Sequence, residues 1–325
     1  MATYKEIKGT GFQNFSSDPG NPVNGQVWYN TGSSVLKVAE VVTTGAWASG
    51  GNLNNAITNA GSSGTQTAGH VFQQSYAEEY NGSSWTNTTA LSTSRYNLSG
   101  AGTQTAGLAV GGFPPAPGSA VTEEYGGTSW TNGGNLNTAR ASVGIAGTQT
   151  AAVVFGGSLG YSNSPNTTNV TEEYNGTSWT NSNNMSVNRL SLQCAGTQTA
   201  ALGAGGYIFT ASYLNTEEYN GTSWSNGGNM PTKQYRGGGA GTQTAALAFG
   251  GILSPGGMNA VLTVEYDGSS WTNGGNLGTG RYSLGVGSVA PAAAAIAIGG
   301  GNAPKNKLTE EYTGPGTTIE TVTTS

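Results

Sequence analysis

The sequence predicts an all-β chain in which six equivalent four-stranded sheets stand in a ring. Three observations predict it: a repeat with near-constant internal spacing, turn residues at fixed places in each copy, and a matching fragment left over at each end. Glu-Glu-Tyr stands at 78–80, 123–125, 172–174, 217–219 and 310–312, with Val264-Glu265-Tyr266 as the sixth copy. Five residues after the tyrosine comes Trp85, Trp130, Trp179, Trp224 or Trp271. Ten residues beyond four of these come Arg95, Arg140, Arg189 and Arg281. Gly-Thr-Gln-Thr follows at 64–67, 102–105, 147–150, 196–199 and 241–244, then a short apolar run ending, in most copies, in Gly-Gly. Nearly all length variation lies between Gly-Gly and Glu-Glu-Tyr. A period of about 45 residues with insertions confined to one connection describes stacked equivalent units.

Each unit reads as four short strands. In the second unit the first strand is Tyr96 to Ala101, small and glycine-rich, and Thr103-Gln104-Thr105 turns. The second strand is Ala106 to Val110, ending at Gly111-Gly112, and a loop of variable length follows. The third strand is Ala120 to Tyr125, and the fourth starts at Trp130 after a tight turn. In sister units that turn is Asn81-Gly82, Asn175-Gly176, Asn220-Gly221 or Asp267-Gly268. Such pairs accept the positive φ that a short hairpin needs. Four-stranded units at this period are the blades of a β-propeller.

The leftover fragments supply closure. Trp47-Ala48-Ser49-Gly50-Gly51-Asn52-Leu53 matches Trp130-Thr131-Asn132-Gly133-Gly134-Asn135-Leu136, yet no first three strands precede it. The last unit runs to Tyr312 and has no tryptophan after it. The strand around Trp47 is therefore expected to complete the sixth blade, which removes the open sheet edges.

Double glycine, an acidic-x-Tyr strand, then Trp, then Arg before the next glycine-rich strand resembles the Kelch repeat, over roughly residues 45 to 312. The resemblance implies a six-bladed Kelch-like β-propeller. Departures are Gln73-Gln74 for Gly-Gly, Ile57 and Gln234 at the arginine position, and Val264 for the first glutamate. Arg236, two residues beyond Gln234, is expected on the same strand face and so to stand in for the missing arginine. The organisation read from sequence is an N-terminal β-hairpin attachment segment over 1–40, the propeller over 41–312 and a tail over 313–325. The Thr-rich tail is left open between loose chain, an added edge on the last blade, and contact with a neighbour.

Composition narrows the function. Only 8% of residues are charged, against roughly 25% in an average soluble protein. Net charge is −5, with no basic stripe to meet phosphate, so no nucleic-acid partner is expected. No apolar run is long enough for membrane insertion. The single histidine, His70, and the single cysteine, Cys194, build neither a metal cluster nor a catalytic dyad. No cofactor or metal is expected; His70 reads as a strand residue and Cys194 as a buried inert thiol. The paired glutamates suit a glycosidase in isolation, but they recur around the whole repeat, which suits architecture. Repeat arginine and repeat glutamate are expected to pair between strands, partly buried, and Trp47, Trp85, Trp130, Trp179, Trp224 and Trp271 to supply contacts between blades. The chain is therefore read as not an enzyme.

The variable loops carry the functional signal, because strand alternation puts them all on one face of a rigid scaffold. Phe113, Tyr161, Tyr207, Phe209 and Tyr213 are the candidate ligand-binding residues there, being aromatics fit to stack on a sugar or grip a protein. At the N-terminus, Gly25-Gln26-Val27-Trp28-Tyr29-Asn30-Thr31 resembles short segments of bacteriophage tail-fibre and other virion proteins. That resemblance implies a non-enzymatic virion structural protein, a tail fibre, adhesin or decoration protein. Trp28 and Tyr29 would dock on other virion proteins, and the propeller would face a host-surface glycan or protein. The alternatives are a bacterial Kelch-type protein-interaction scaffold and a propeller carbohydrate-active hydrolase.

Overall fold

The computed structural model describes residues 13–23, 25–42, 44–115, 118–160, 166–286, 291–301 and 306–322. Among them the chain is all-β, with one short 3-10 turn at Ala292–Ala294. It divides into two compact units, Ala46–Thr313 and a smaller one made of Met1–Gly45 with Gly314–Ser325.

The larger unit is a series of four-stranded antiparallel sheets, consistent with a β-propeller. The second sheet is typical: Ser99–Gly102, Gly107–Val110, Thr122–Tyr125 and Trp130–Asn132, paired in that order. The sheet begun by Gly285–Val286, Ile296–Ile298 and Thr309–Thr313 takes Ala46–Ser49 as its fourth strand, with Tyr312 opposite Trp47. Strands are shorter than the sequence suggests because the residues flanking them leave the ladder to turn. Gly102 ends its strand at a φ of +91°, which a residue with a Cβ rarely adopts. Gly239 lies against the Cys194 backbone of the neighbouring sheet, where no side chain fits.

Three side-chain systems join each sheet to the one before it. The five-residue spacing sets Tyr opposite Trp across a ladder in five sheets, and the pairing of Tyr312 with Trp47 does so in the sixth, with ring centroids 4.8–5.0 Å apart throughout. The tyrosine hydroxyl then donates to the second glutamate of the preceding sheet: Tyr125 to Glu79, Tyr174 to Glu124, Tyr219 to Glu173, Tyr266 to Glu218 and Tyr312 to Glu265. Tyr80 of the first sheet donates to Glu311 of the last. The tryptophan Nε1 donates to the threonine before the glutamates of the preceding sheet, as in Trp179 to Thr122 and Trp85 to Thr309. Trp130 is the exception, because Ala77 holds that place, and it turns to the Thr89 carbonyl. The glutamine of Gly-Thr-Gln-Thr caps two carbonyls of the preceding sheet, as Gln149 does at Gly107 and Tyr125. Apolar clusters fill the same junctions. One packs Ile296 and Ile298 of the last sheet against Val71, Tyr80 and Trp85 of the first.

Within a sheet, the first glutamate pairs with the repeat arginine: Arg95–Glu123, Arg140–Glu172, Arg189–Glu217 and Arg281–Glu310, at 2.8–2.9 Å. These pairs are buried throughout, not partly as the sequence suggested. Burial is tolerable because the charges are also hydrogen-bonded. Arg140 Nη1 donates to the Gly156 and Val170 carbonyls, and Glu172 accepts the Asn137 and Thr138 backbone N–H groups. The ion pair thus pins the double-glycine bend to the third strand and to the loop arriving from the previous sheet.

Two sheets lack the arginine, and each replaces the pair differently. Gln234 fills the slot and donates Nε2 to the Gly250 carbonyl, while Val264 stands where the glutamate would be. Both charges are removed together. With Ile57 in the arginine's place Glu78 has no cation partner among the described residues, and Asn54 and Asn55 supply backbone and side-chain N–H groups to both carboxylate oxygens. Arg236 does not substitute for Gln234. A φ of +58° takes it out of strand geometry and turns it elsewhere.

The smaller unit is one mixed sheet, in the order Gln13–Phe15, Val27–Asn30, Val35–Val42 and Gly316–Thr321. The first pair is parallel and the others are antiparallel. A boundary at residue 40 therefore falls inside a strand. Residues 316–321, read from sequence as part of a separate tail, cover the edge of Val35–Val42, whose backbone groups need partners. Trp28 is a core residue, wholly buried, with Nε1 donating to Asp18 Oδ1. It is not available for docking, which corrects the expectation. Tyr29, next along the strand, faces outward and is 37% exposed.

Replacing Arg140 with Met strands Glu172 in the interior and is expected to cost about 3–5 kcal/mol. The double change Arg140→Gln with Glu172→Val copies the Gln234/Val264 solution and recovers most of that loss. Thermal unfolding of the two variants checks it; an unchanged Tm for the single variant would refute the role of the pair.

Candidate ligand-binding face

Two residues after each arginine position, and two before the first strand begins, six residues form a cycle: Asn59, Asn97, Ser142, Ser191, Arg236 and Ser283. All have φ between 52° and 59°. Each backbone N–H donates to the carbonyl of the preceding member at 2.7–3.0 Å, and Asn59 donates to Ser283. A left-handed backbone is uncommon for serine or arginine. Here the reciprocal bonds hold it. The cycle frames a cavity of ≈ 140 Å³ whose wall below it includes Leu98, Val143, Leu192 and Leu284. Cys194 also lines it, and burial pushes its thiol up to about 12, which keeps it protonated and unreactive.

Beside the cavity, two variable loops build a second hollow. The hairpin Tyr207–Ile208 with Ala211–Ser212 forms one wall. The other comes from a three-stranded sheet of Lys233–Tyr235, Ile252–Ser254 and Met258–Asn259. The hollow measures ≈ 260 Å³ and is lined by Tyr207, Phe209, Thr210, Ser212, Tyr235 and Ser254, among others. Tyr207 meets Tyr235 at 4.3 Å and the edge of Phe209 at 5.8 Å between ring centroids. Arg236 belongs to the cavity and reaches the hollow through Tyr207. It lines the cavity, its guanidinium carbon lies 5.5 Å from the Tyr207 ring centroid, and Nη2 donates to the Tyr207 hydroxyl at 2.9 Å. Burial raises the Tyr235 hydroxyl above the usual phenol range.

Of the aromatics expected from sequence, Tyr207 and Phe209 line this hollow. Tyr213 follows the hairpin, half-buried, with its N–H on the Gly206 carbonyl. Phe113 is 2% exposed and packs beside Tyr96, so it supports the face from below and is not a contact residue. Tyr161 lies outside the described residues. Sequence reading missed Tyr235 and misplaced Arg236. The signal was in the repeat: the other five members of the cycle are Asn or Ser, and only this one is a cation.

The histidine belongs to the frame. His70 stands opposite Glu79, the position that Leu108, Val153, Leu202, Leu247 and Ile296 hold in the other sheets. It is wholly buried against Phe72, Tyr125 and Trp130, and burial lowers it to about 3. No protein-family model matches the chain, and no curated protein matches it.

Because the folded His70 stays neutral while the unfolded one protonates near 6.5, stability is full above that pH. It falls as the pH drops from 6.5 toward 3, by up to about 1.4 kcal/mol per pH unit. His70 is the only histidine. The change His70→Leu, which copies the sister sheets, is therefore expected to flatten the Tm profile between about pH 6.5 and 4.5. Parallel profiles for the two proteins in that window would sink this reading.

Proposed function

We propose that the larger unit is a closed six-bladed Kelch-like β-propeller acting as a non-enzymatic recognition module. The smaller unit, in this reading, attaches it to a phage particle, so that the chain is a virion structural protein of the tail-fibre, adhesin or decoration type. Closure is supported by the bonds that run from each sheet to the one before it, including Tyr80 to Glu311 and Trp85 to Thr309. The pairing of Trp47 with Tyr312 supports a last blade finished by an N-terminal strand. On the smaller unit, Tyr29 and the 69% exposed Val23 are the apolar groups best placed to meet another virion protein.

The single observation that carries recognition is the aromatic hollow at Tyr207, Phe209 and Tyr235 beside Arg236. The repeat glutamates are otherwise engaged, the first of each pair by arginine or asparagine and the second by tyrosine. The one exception to that pairing, Val264, is not a carboxylate. A hydrolase needs two free carboxyl groups facing one substrate, and carboxylates held as these are serve the frame better than a reaction.

Aromatic anchors in a pocket dominate binding energy. The double change Tyr207→Ala with Phe209→Ala is expected to weaken adsorption of the full chain to host-cell envelopes at least about tenfold, with the fold retained by circular dichroism. Equal adsorption would remove the hollow from the recognition surface. Mass spectrometry of purified virions tests attachment: the chain should be a stoichiometric component, and its absence from particles would overturn the virion assignment.

A further inference from the structure

We propose that the hollow beside Arg236 takes a carboxylate-bearing saccharide, its ring against the Tyr207–Tyr235 aromatics and its carboxylate on the Arg236 guanidinium. This assignment rests on the reading of the loop face as a recognition surface, and adds to it the class of ligand.

The first ground is the state of Arg236. Among the described residues the four repeat arginines each hold a carboxylate, at 2.8–2.9 Å. Arg236 holds none. Its one hydrogen bond to a side chain goes to the Tyr207 hydroxyl, a neutral group, through Nη2. A half-buried guanidinium without a counter-ion is a costly feature in a chain of net charge −5, and its planar fork matches a carboxylate. The Tyr207 bond fixes the fork in place, so little side-chain freedom is lost when an anion arrives.

The second ground is where the repeat breaks. Five members of the cavity cycle are Asn or Ser, and the sixth is Arg236. In the same unit Gln234 and Val264 have lost the buried ion pair that four sister units keep, so no carboxylate lies beneath Arg236 to draw it inward. The loop of that unit also forms a three-stranded sheet, where sister units make isolated bridges such as Tyr96 with Phe113, Ala141 with Ser158 and Leu190 with Tyr207. Local rules that fail together at one place mark function more often than drift.

The third ground is the chemistry around the guanidinium. Aromatic faces and edges receive the C–H face of a pyranose, and hydroxyl-bearing neighbours answer its hydroxyls. Thr210, Ser212 and Ser254 line the hollow, and Lys233 lies opposite Ser254 in the strand register. Asn97 and Ser191, on the cavity rim with Arg236, extend the polar surface inward. A phosphate would also meet the guanidinium, but it makes no use of the aromatic wall.

The test uses the full chain and two probes: a hexasaccharide of alternating glucuronic acid and N-acetylglucosamine, and the same molecule with its carboxyls reduced to alcohols. Binding is read by saturation-transfer NMR and calorimetry. The acidic probe is expected to bind, and the reduced one to bind about tenfold or more weakly. Arg236→Gln should bring the acidic probe down to the level of the reduced one and leave the reduced probe unchanged; Arg236→Lys should retain part of the difference. Equal binding of the two probes by the unaltered chain would overturn the assignment, whatever the variants do, and so would indifference to Arg236→Gln. Binding of neither probe overturns it as well, while envelope adsorption that still depends on Tyr207 and Phe209 would leave the broader recognition reading standing.

Discussion

The bond on which the larger unit depends runs from a tyrosine hydroxyl to a glutamate on the sheet before it. It recurs at every junction described, from Tyr125 to Glu79 through to Tyr80 to Glu311. A charged acceptor strengthens a hydrogen bond, and a partly buried position strengthens it further. The same tyrosine stacks on its own tryptophan, whose Nε1 reaches back to the preceding sheet. One Tyr–Trp pair therefore presents a donor from each ring to the same neighbour. In a chain with so few charges, the acids of the larger unit are concentrated in these bonds and in the buried arginine pairs. The structure is held at its junctions by short polar links set into apolar clusters.

Much of this was legible in the sequence because repetition multiplies weak signals. The five-residue Tyr–Trp spacing, with Asn-Gly or Asp-Gly inside it, dictates a tight hairpin, and the ladder puts the two rings opposite each other. Trp47 without preceding strands, and Tyr312 without a following tryptophan, foretold their pairing. What the sequence hid were facts set by the third dimension. Nothing in the spacing of Arg140 and Glu172 says that both are sealed from water, because burial depends on the neighbouring sheet. The string at 25–31 suggested Trp28 as a docking group, yet a tryptophan flanked by alternating residues on a small sheet is the natural core of that sheet. The tail at 316–321 carries β-branched residues suited to a strand, but its partner at Val35–Val42 lies almost the whole chain away.

The two sheets that lack the arginine show how a buried ion pair can be dismantled. Losing one charge alone is destructive. Gln234 with Val264 removes both, and Ile57 with Asn54 and Asn55 replaces a cation by two side-chain N–H donors on Glu78, added to the two backbone donors that Glu123 and Glu172 also receive. The sequence shows Ile57, Gln234 and Val264 as separate departures. Only the pairing within a sheet reveals that two of them are one event, and that Arg236 is not its remedy.

A repeat of this regularity offers equivalent surfaces at every turn, and equivalence cannot by itself select one ligand. Selectivity needs a place where the symmetry fails. The backbone cycle through Asn59, Asn97, Ser142, Ser191, Arg236 and Ser283 stays regular, so the frame is not what differs. The side chain at Arg236 differs, the ion pair beneath it is gone, and the loops above it have become strands. A rigid cycle holding one exceptional cation against an aromatic wall keeps that cation at a fixed height and angle, which a free surface arginine does not have. The left-handed backbone is common to all six members of the cycle, and at this one position it carries a cation where the other five carry Asn or Ser.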